Sequence, residues 1–450
     1  MPEKSSTVKD MTEGTIWRHL ITFAFPLFIG NIFQQLYNTV DSIVVGNFVG
    51  ADALGAVTST IPVVITLIGL FIGLSMGASV VISQYFGAKD IPSLRRATHT
   101  AVVSTIIMAL IISAIGYYST PYLLRMMNTP ESVFKEAVVY LQIFSLGLGG
   151  TMLYNMGSAI LRAVGDSKRP LYFLILASVL NIFLDLLFVI KFSWGVAGVA
   201  YATIIAQLIS GLIIFWILFR SHEVHSLTWH EMKIDGKILK RIIQIGFPAG
   251  FQMALTSFSN VFVQAYINSY GAASTAGWGI YARVDAFVIL PTQSMAMATT
   301  TFVGQNAGAR KPDRIHRGLL QGLFISWGIS ACIITMLYIF APYIAAMFNQ
   351  DKAVLGYAVL FLRLNSIFDP VNATNQIEAG ALRGVGDSRT PMLIMLSSFV
   401  VFRQIYLFII SKLTTSIYFI AIGYPLGWMI CTLLMTLHIK RSGWEKKLRT

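Results

Sequence analysis

Four oxygen-bearing side chains lie inside long apolar stretches of this sequence: Asp41, Asn181, Asp185 and Thr203. A carboxylate is costly in hydrocarbon, so an acid in such a stretch is a candidate functional group by default. Asn181 and Asp185 have the i,i+4 spacing that places two residues on one face of a helix. Two carboxylates, an amide and a hydroxyl suit a proton or a small hard cation such as Na⁺, which prefers oxygen ligands. Two neighbouring acids in a medium of low dielectric would also share a proton.

The stretches that carry these residues have the composition of membrane-spanning helices. Of the 450 residues, 55% are hydrophobic and 12% are charged, and the mean hydropathy is +0.69. This is far too apolar for a soluble protein of that length. About twelve runs reach the roughly 20 apolar residues that a bilayer crossing needs. They lie near 16–46, 53–84, 97–118, 133–160, 170–190, 195–219, 240–268, 275–303, 317–340, 354–380, 391–410 and 414–438.

The distribution of positive charge predicts the orientation of these crossings. The two termini and alternate loops, near 85–96, 161–169, 220–241, 310–317 and 383–389, hold 25 of the 33 Lys and Arg residues. The remaining loops hold 5 and the helices 3. Positively charged loops stay in the cytoplasm, so we expect a multi-pass protein of the cytoplasmic (plasma) membrane with both termini cytoplasmic. The net charge of +13 then reflects topology and contact with membrane lipid, and it does not indicate nucleic-acid binding.

A short motif occurs twice and indicates an internal duplication. "LRAVGDSKRP" begins at Leu161 and "LRGVGDSRTP" begins at Leu382, with seven of ten positions identical. Other matches keep nearly the same offset along the chain, which predicts an N-terminal lobe (1–220), a cytoplasmic linker (221–235) and a C-terminal lobe (236–450). Each half has six predicted crossings, so the halves are parallel repeats around a central cleft, an arrangement suited to alternating access. We interpret the repeated motif as a tight turn, with Gly for its geometry and Pro near the next helix start.

The duplication provides an internal control for function, because residues that only one half carries are not needed by the fold. Asp41 corresponds to Phe262 or Val263, Asn181 to Phe402, Asp185 to Tyr406, and Thr203 to Tyr424. All four polar residues of the first half are therefore replaced by apolar or aromatic residues in the second. This comparison selects them as the cation-coupling group.

The second half has intramembrane acids of its own, and their role has two interpretations. Asp285, Asp369 and Glu378 correspond to apolar residues or glycine in the first half. In one interpretation they are neutralised by the arginines of the same half, Arg283, Arg363 and Arg403. In the other they form a secondary proton-coupling or substrate site, for which Glu378 is the preferred candidate.

The chain resembles the multidrug and toxic compound extrusion (MATE) transporters over essentially its whole length. The resemblance rests on "AFPLFIGNIFQQLYNTVDSIVVGNFVG" from Ala24, "GQNAGAR" from Gly304, the paired "LRxVGDS" turns and the twelve-helix duplication. It implies a V-shaped fold of two six-helix bundles. It also implies export of small cationic amphiphilic compounds in exchange for H⁺ or Na⁺.

The resemblance also assigns residues. In members with a cation site in the N-terminal lobe, the site falls on Asp41, Asn181, Asp185 and Thr203, where Na⁺ could bind. The polar network that supports the site in those members corresponds to Gln34, Tyr37, Tyr140 and Asn155 of this sequence. The position at which their first helix bends corresponds to Pro26. In the branch that places acids in the C-terminal lobe, the matching positions hold Thr256 and Asn372 here, so this chain departs from that pattern.

Several motifs that would indicate other functions are missing from the sequence. No "GxxxxGK[ST]" phosphate-binding loop occurs, which argues against ATP as the energy source. Cys332 and Cys431 lie in apolar helices and predict neither a disulfide nor a metal site. The linker residues His222, His225 and His230 fit no metal-ligand spacing, and we interpret the linker as a solvated loop.

We therefore predict a cation-coupled antiporter that needs no cofactor apart from its coupling ion and acts as a monomer. An ion that binds Asp41 and Asp185 would neutralise the pair, change the bend at Pro26 and displace a bound cationic drug. A flippase for a lipid-linked precursor is the alternative with the same architecture. An intramembrane enzyme is disfavoured, because no intramembrane His pairs with a Ser, Cys or Asp nucleophile set.

Overall fold

The computed structural model describes residues 8–127 and 129–442, and for Ala51 and Asp52 it describes the backbone only. The extreme termini, which we predicted to be cytoplasmic, lie outside the described residues. The described chain is all-helical. Its α-helices are α1 (Ile16–Val44), α2 (Ala51–Gly87), α3 (Ile91–Met126), α4 (Glu131–Ala163), α5 (Lys168–Asp185), α6 (Gly195–Arg220), α7 (Gly236–Asn268), α8 (Ala272–Val288), α9 (Leu290–Gly308), α10 (Pro312–Ala346), α11 (Lys352–Ser366), α12 (Asp369–Gly384), α13 (Arg389–Leu396), α14 (Arg403–Leu413), α15 (Ile417–Ala421) and α16 (Gly423–Arg441).

These helices account for all of the predicted crossings. Within the described residues, ten helical stretches are long and apolar enough to span a bilayer, and α11 with α12 forms an eleventh that bends by 49°. Helix α7 is also long enough at 33 residues, but Gln244, Gln252 and other polar residues make it less apolar. Each of the twelve predicted crossings lies on one helix or on consecutive helices with a short break. The prediction of an all-α, multi-pass membrane protein is confirmed.

Three segments depart from α geometry and form π-helix: Val45–Val49, Leu186–Lys191 and Ser397–Phe402. In the first, the Gly50 N–H donates to the Val45 carbonyl oxygen at 3.1 Å, five residues earlier. Such turns are rare and concentrate at functional sites, because they rotate the side chains on either side relative to a regular helix. Two of the three segments directly follow helices that carry predicted site residues.

By packing, the described chain divides into two compact units. The first consists of residues up to Asp10 and of Phe25–Gly250, and the second of Met11–Ala24 and of the residues from Phe251 onward. These limits differ from the predicted lobes because two helices each contribute to both units. The chain passes from one unit to the other next to Pro26 in α1, and close to Pro248 in α7.

The first unit is built around α4, which packs against α2, α3 and α6. Its main apolar core combines side chains from these helices, among them Phe71, Leu94, Met152 and Leu218, all 1% exposed or less. The first half of α7 joins the unit at α2, where the two backbones touch. A Cβ added at Gly73 would lie 2.4 Å from the Gly250 backbone nitrogen, so only glycine permits this close approach.

The second unit pairs α9 with α12 and α8 with α11. The N-terminal segment docks on the end of α9: the Met11 N–H donates to Gln305 Oε1 at 2.9 Å, and Asn306 Nδ2 donates to the Met11 carbonyl oxygen at 3.2 Å. These side chains are buried. The hydrogen bonds satisfy polar groups that would otherwise be costly in the interior.

The repeated motif forms the same turn in both halves, which confirms its structural role. Gly165 and Gly386 have φ values of +87° and +97°, a conformation that favours glycine. In the first copy, the Asp166 carboxylate accepts hydrogen bonds from two backbone N–H groups at the start of α5, at 3.0 and 3.1 Å. In the second, Asp387 accepts from the Thr390 N–H at 3.0 Å. The motif is thus a turn followed by a helix cap.

The linker between the halves packs on the first unit, so its interpretation as a solvated loop needs correction. His222 and His230 are exposed as expected, but His225 is fully buried. The segment is held by hydrogen bonds: the Leu227 N–H donates to the Leu218 carbonyl oxygen and the Thr228 N–H donates to the buried His99 Nε2, both at 3.0 Å. The periodicity of α6 ends before the linker, so the sequence carried no signal of this packing.

Candidate functional site

The four coupling residues predicted from the duplication all lie in the first unit. Asp41 is near the end of α1 and Asp185 is the last residue of α5, and each is followed within a turn by a π-helical segment. The two π segments pack together with the start of α6 in a valine-rich cluster that includes Val45, Val189 and Val199. This packing brings α1 and α5 together at the level of the two acids.

Asp41 and Asp185 form a carboxyl–carboxyl pair, with each side chain interacting directly with the other. Asp185 is 0% exposed, and neither of its carboxylate oxygens accepts a hydrogen bond from a described donor. The buried Oδ1 of Asp41 is equally unpartnered. Among the described residues, no Lys or Arg forms an ion pair with either acid. Two bare carboxylates in this environment would repel one another, so binding of a proton or a cation would stabilise the pair.

Asn181 and Thr203 extend the pair. Asn181 precedes Asp185 by one turn of α5, and its Nδ2 donates to Thr203 Oγ1 of α6 at 3.4 Å. Both residues are buried, and the Asn181 amide oxygen has no hydrogen-bond donor. The site therefore offers carboxylate, amide and hydroxyl oxygens, which is the ligand set that a small hard cation prefers.

The predicted supporting network is only partly assembled. Tyr37 interacts with Asp41 and Tyr140, and Tyr140 is within electrostatic reach of both acids. In contrast, Asn155 donates to the Thr151 carbonyl oxygen of its own helix at 2.8 Å. Gln34 is exposed and forms no side-chain hydrogen bond with a described residue. The structure thus places the two tyrosines beside the carboxyl pair, and it does not bring the Gln34 or Asn155 side chains into hydrogen bonds with it.

One polar residue beside the site was missed from the sequence. Gln207 lies one turn after Thr203 on α6 and is buried beside Tyr37, with its amide oxygen unpartnered. Its counterpart in the second half is Trp428, at the same offset that relates Thr203 to Tyr424. The comparison of the two halves contained the signal for Gln207, because the residue is polar in the first half and aromatic in the second.

The acids of the second unit fall into two separate places. Asp285 of α8 interacts with Tyr281 one turn earlier and with Asp369 at the start of α12, whose Oδ2 is buried without a donor. Glu378 lies further along α12, where its Oε1 accepts a hydrogen bond from Thr436 Oγ1 at 2.8 Å. Its Oε2 is buried and unpartnered.

The interpretation that arginines neutralise these acids is wrong for the described residues. Arg403 is buried, but it donates to Asn260 Oδ1 at 2.7 Å and its guanidinium carbon lies 4.5 Å from the centre of the Tyr424 ring. Arg363 donates to the Tyr338 carbonyl oxygen at 3.0 Å, and Arg283 is exposed. None of these three cations forms an ion pair with an acid in the part of the chain that the structure describes. Asp369 and Glu378 therefore each keep one buried, unsatisfied oxygen.

No compact metal centre is present among the described residues, in the sense of three or more His, Cys, Asp or Glu side chains grouped around one point. The Asp41–Asp185 group has only two such side chains, and its other oxygens come from an amide and a hydroxyl. This chemistry suits weak, reversible binding of a proton or a monovalent ion rather than a resident transition metal.

The comparisons with known proteins agree on one family. The MatE family model matches the chain twice, at residues 26–187 and 248–409. The chain is 29% identical to the probable multidrug resistance protein YoeA of Bacillus subtilis, over 97% of this chain and 96% of that protein. It is 30% identical to the probable multidrug resistance protein YpnP of the same organism, over 88% of each chain.

A solved structure supports the fold. It is described as the outward-facing conformation of a multidrug resistance MATE family transporter of the MOP superfamily, and it matches with a TM-score of 0.93 and 24% identity. The match covers 99% of this chain and 100% of the other. The two chains share their helical fold at this low identity, because packing is kept long after most side chains have changed.

Proposed function

The chain belongs to the MatE family, a family of transporters and not of enzymes, and on this premise we propose that it is a cation-coupled antiporter that exports cationic amphiphilic drugs or toxins. The observation that carries the proposal is the Asp41–Asp185 pair: Asp185 is fully buried, Asp41 is half-buried with a buried Oδ1, and the pair has unsatisfied oxygens and no basic partner among the described residues. The names of the relatives YoeA and YpnP support the substrate class.

The pair holds the coupling ion, either H⁺ or Na⁺. A proton shared between Asp41 and Asp185, or a Na⁺ ion bound by both with Asn181 and Thr203, removes the repulsion between the two carboxylates. The ion gradient is the energy source: roughly 1.4 kcal/mol per pH unit and about 2.3 kcal/mol per charge for each 100 mV of membrane potential. The bias of positive charge supports operation in the cytoplasmic membrane with both termini inside.

Ion binding is transmitted to the rest of the protein along α1. Pro26 lies in the same helix as Asp41 and has no N–H, so the carbonyl oxygen of Thr22 lacks its helical hydrogen bond there. The chain passes between the two units directly before this proline. Neutralising the acid pair alters how the Asp41 end of α1 packs, and the helix responds by bending at Pro26, which releases the bound drug.

The test is ethidium efflux from cells or everted vesicles, with pH and Na⁺ gradients imposed separately. Efflux by the wild type should increase with one of the two gradients, and this identifies the coupling ion. Asp41→Asn and Asp185→Asn should abolish the response at equal expression. Ser42→Ala is the matched control on the same helix turn, because Ser42 is exposed and, among the described residues, its hydroxyl bonds only to the Asn38 carbonyl oxygen. Efflux by Asp41→Asn at the wild-type rate, driven by the same gradient, would remove the basis of the proposal.

For the second unit we propose that Asp285 and Asp369 bind a cation, either substrate or a second proton. The unpartnered Asp369 Oδ2 beside Asp285 and Tyr281 favours this pair. Glu378, the candidate preferred from the sequence, already accepts a hydrogen bond from Thr436 and lies in a separate environment. The measurement is ethidium efflux by Asp369→Asn. A lower apparent affinity for ethidium with an unchanged response to the coupling gradient indicates a substrate site, and a weaker response to a pH gradient with unchanged affinity indicates a second proton site. No change in either quantity would contradict the proposal.

A further inference from the structure

A basic pocket lies at the turn between α9 and α10, outside the site described above. Its volume is about 480 Å³. It is lined by Ile16, Arg310, Lys311, Pro312, Arg314 and Arg317, and Asp313 is the one acid in the lining. All of these residues belong to the second unit. With four cations and one acid in its lining, the pocket has a positive charge that favours an anion.

Two of the four cations are fixed in place by the N-terminal segment. Arg314 donates to the carbonyl oxygens of Met11 and Gly14 at distances between 2.8 and 3.1 Å. Lys311 Nζ donates to the Thr12 carbonyl oxygen at 3.0 Å. These bonds fix the positions of the Arg314 and Lys311 side chains beside the pocket.

The other two cations have no partner. Arg310 and Arg317 are exposed, and neither side chain forms a hydrogen bond or an ion pair with a described residue. Arg310 is held at φ +55°, a conformation uncommon outside glycine, by the turn that ends α9. A guanidinium group offers paired N–H donors that match the oxygens of a phosphate. The two free arginines are thus the groups available to a phosphate in this pocket.

The equivalent turn of the first half lacks this character. The residues that correspond to Arg310, Lys311, Arg314 and Arg317 are Lys89, Asp90, Ser93 and Arg96. Asp90 accepts a hydrogen bond from the Ser93 N–H at 3.1 Å, and Arg96 forms an ion pair with Asp235 at 3.4 Å. Since both halves build the same turn, the fold does not require the cluster of free cations that the second half carries.

The position of the pocket indicates the source of the anion. It lies where two predicted spans meet, and the apolar side chains of Ile16 and Pro312 form part of its wall. The neighbouring Trp17 is 47% exposed, with the Arg18 guanidinium 5.4 Å from the centre of its ring. Exposed Trp next to Arg at a helix end is typical of the headgroup layer.

We propose that this pocket binds the phosphodiester headgroup of an anionic phospholipid. Arg310 and Arg317 contact the phosphate, Lys311 and Arg314 supply the positive field, and Ile16 and Pro312 contact the glycerol backbone and the first methylene groups. Anionic lipids are enriched in the cytoplasmic leaflet, and the distribution of positive charge in the sequence predicts that this turn lies on that side.

The experiment uses the purified full chain in neutral detergent. Phosphatidylglycerol, phosphatidylcholine and inorganic phosphate are titrated separately, with bound lipid counted by native mass spectrometry and thermal unfolding followed in parallel. The variant is Arg310→Gln/Arg317→Gln. The charge-matched control is Lys89→Gln/Lys240→Gln, which removes two exposed cations, one of them at the repeat position of Arg310.

Wild type should bind phosphatidylglycerol in preference to phosphatidylcholine. The arginine variant should bind phosphatidylglycerol at least about tenfold more weakly. Each cation near an anionic headgroup contributes a factor of roughly five to the affinity, and the variant lacks two of them. The control should lose less than about twofold. Arg310→Lys/Arg317→Lys keeps both charges and should recover part of the affinity, which separates lost charge from misfolding.

Three results would overturn the assignment. One is unchanged phosphatidylglycerol binding in the arginine variant. The second is an equal loss in the control, which would indicate nonspecific attraction to the surface. The third is competition by inorganic phosphate at concentrations similar to those of phosphatidylglycerol, which would identify a soluble-anion site.

Discussion

The amide nitrogen Nδ2 of Asn181 donates to the hydroxyl oxygen Oγ1 of Thr203 at 3.4 Å, across the contact between α5 and α6. The bond fixes the orientation of the amide and leaves its oxygen buried without a donor. The neighbouring Asp185 oxygens are in the same state. Three kinds of oxygen are therefore presented to one place by residues that the second half of the chain replaces with aromatic side chains.

Thr203 should contribute to coupling through its oxygen. We expect Thr203→Val, which keeps the shape of the side chain, to weaken the apparent affinity for the coupling ion several-fold without loss of folded protein. Thr203→Ser keeps the hydroxyl and should stay close to wild type. The measurement is the dependence of ethidium efflux on H⁺ or Na⁺ concentration. Equal behaviour of the Val and Ser variants would show that the hydroxyl takes no part.

The three acids of the second unit should behave as a pair and a separate residue. Asp285 and Asp369 are close enough to interact electrostatically, so the effects of Asp285→Asn and Asp369→Asn on the unfolding free energy should be non-additive, by about 0.5 kcal/mol or more. Glu378→Gln should add to either within about 0.5 kcal/mol. Thermal or denaturant unfolding of the single and double variants measures this. A strongly non-additive effect of Glu378→Gln and Asp369→Asn on the unfolding free energy would show that Glu378 belongs to the same site as Asp369.

The contact between α2 and α7 should tolerate no side chain. We expect Gly73→Ala to destabilise the protein by about 1–3 kcal/mol, because its Cβ would meet the Gly246 oxygen and the Gly250 nitrogen of the facing backbone at 2.5 and 2.4 Å. Gly69→Ala is the matched control one turn earlier on α2, where a Cβ has no neighbour within 4 Å. The control should be neutral or slightly stabilising, since alanine favours the helix. Similar unfolding midpoints for the two variants would contradict the close contact.

The stability of the linker should depend on pH through His225. Burial is the main cause that lowers the pKa of His225 to about 4, and the positive charge of Arg169 adds to it. In the unfolded chain the pKa of a histidine is about 6.5. The unfolded state therefore binds a proton between these values that the folded state does not. Stability should fall as the pH drops from about 6.5 towards 4, by up to about 3 kcal/mol.

Unfolding midpoints of wild type, His225→Gln and His222→Gln across this pH range provide the test. His225→Gln should flatten the dependence, because glutamine cannot take up the proton. The exposed His222 serves as the control, and its variant should keep the wild-type slope. A slope in His225→Gln equal to that of wild type would assign the effect to other groups.

The sequence by itself determined the fold class, and it predicted which residues belong to the proposed coupling group. Length and apolar composition of each run decide whether it crosses a bilayer, and these are properties of contiguous residues. The duplication identified Asp41, Asn181, Asp185 and Thr203, because the loss of a polar residue in one half is visible without coordinates. The same comparison would have revealed Gln207.

Only the tertiary structure decided which side chains meet. Asp285 lies within electrostatic reach of Asp369 and leaves Glu378 apart, the arginines of the second half bind elsewhere, and His225 is buried in a linker that hydrogen-bonds to α3 and α6. Each outcome depends on how residues that are distant in the sequence approach one another, through helix rotation, π-helical turns and glycine contacts. Periodicity shows which face of a helix is polar, but the partner of that face is set by the packing of the other helices.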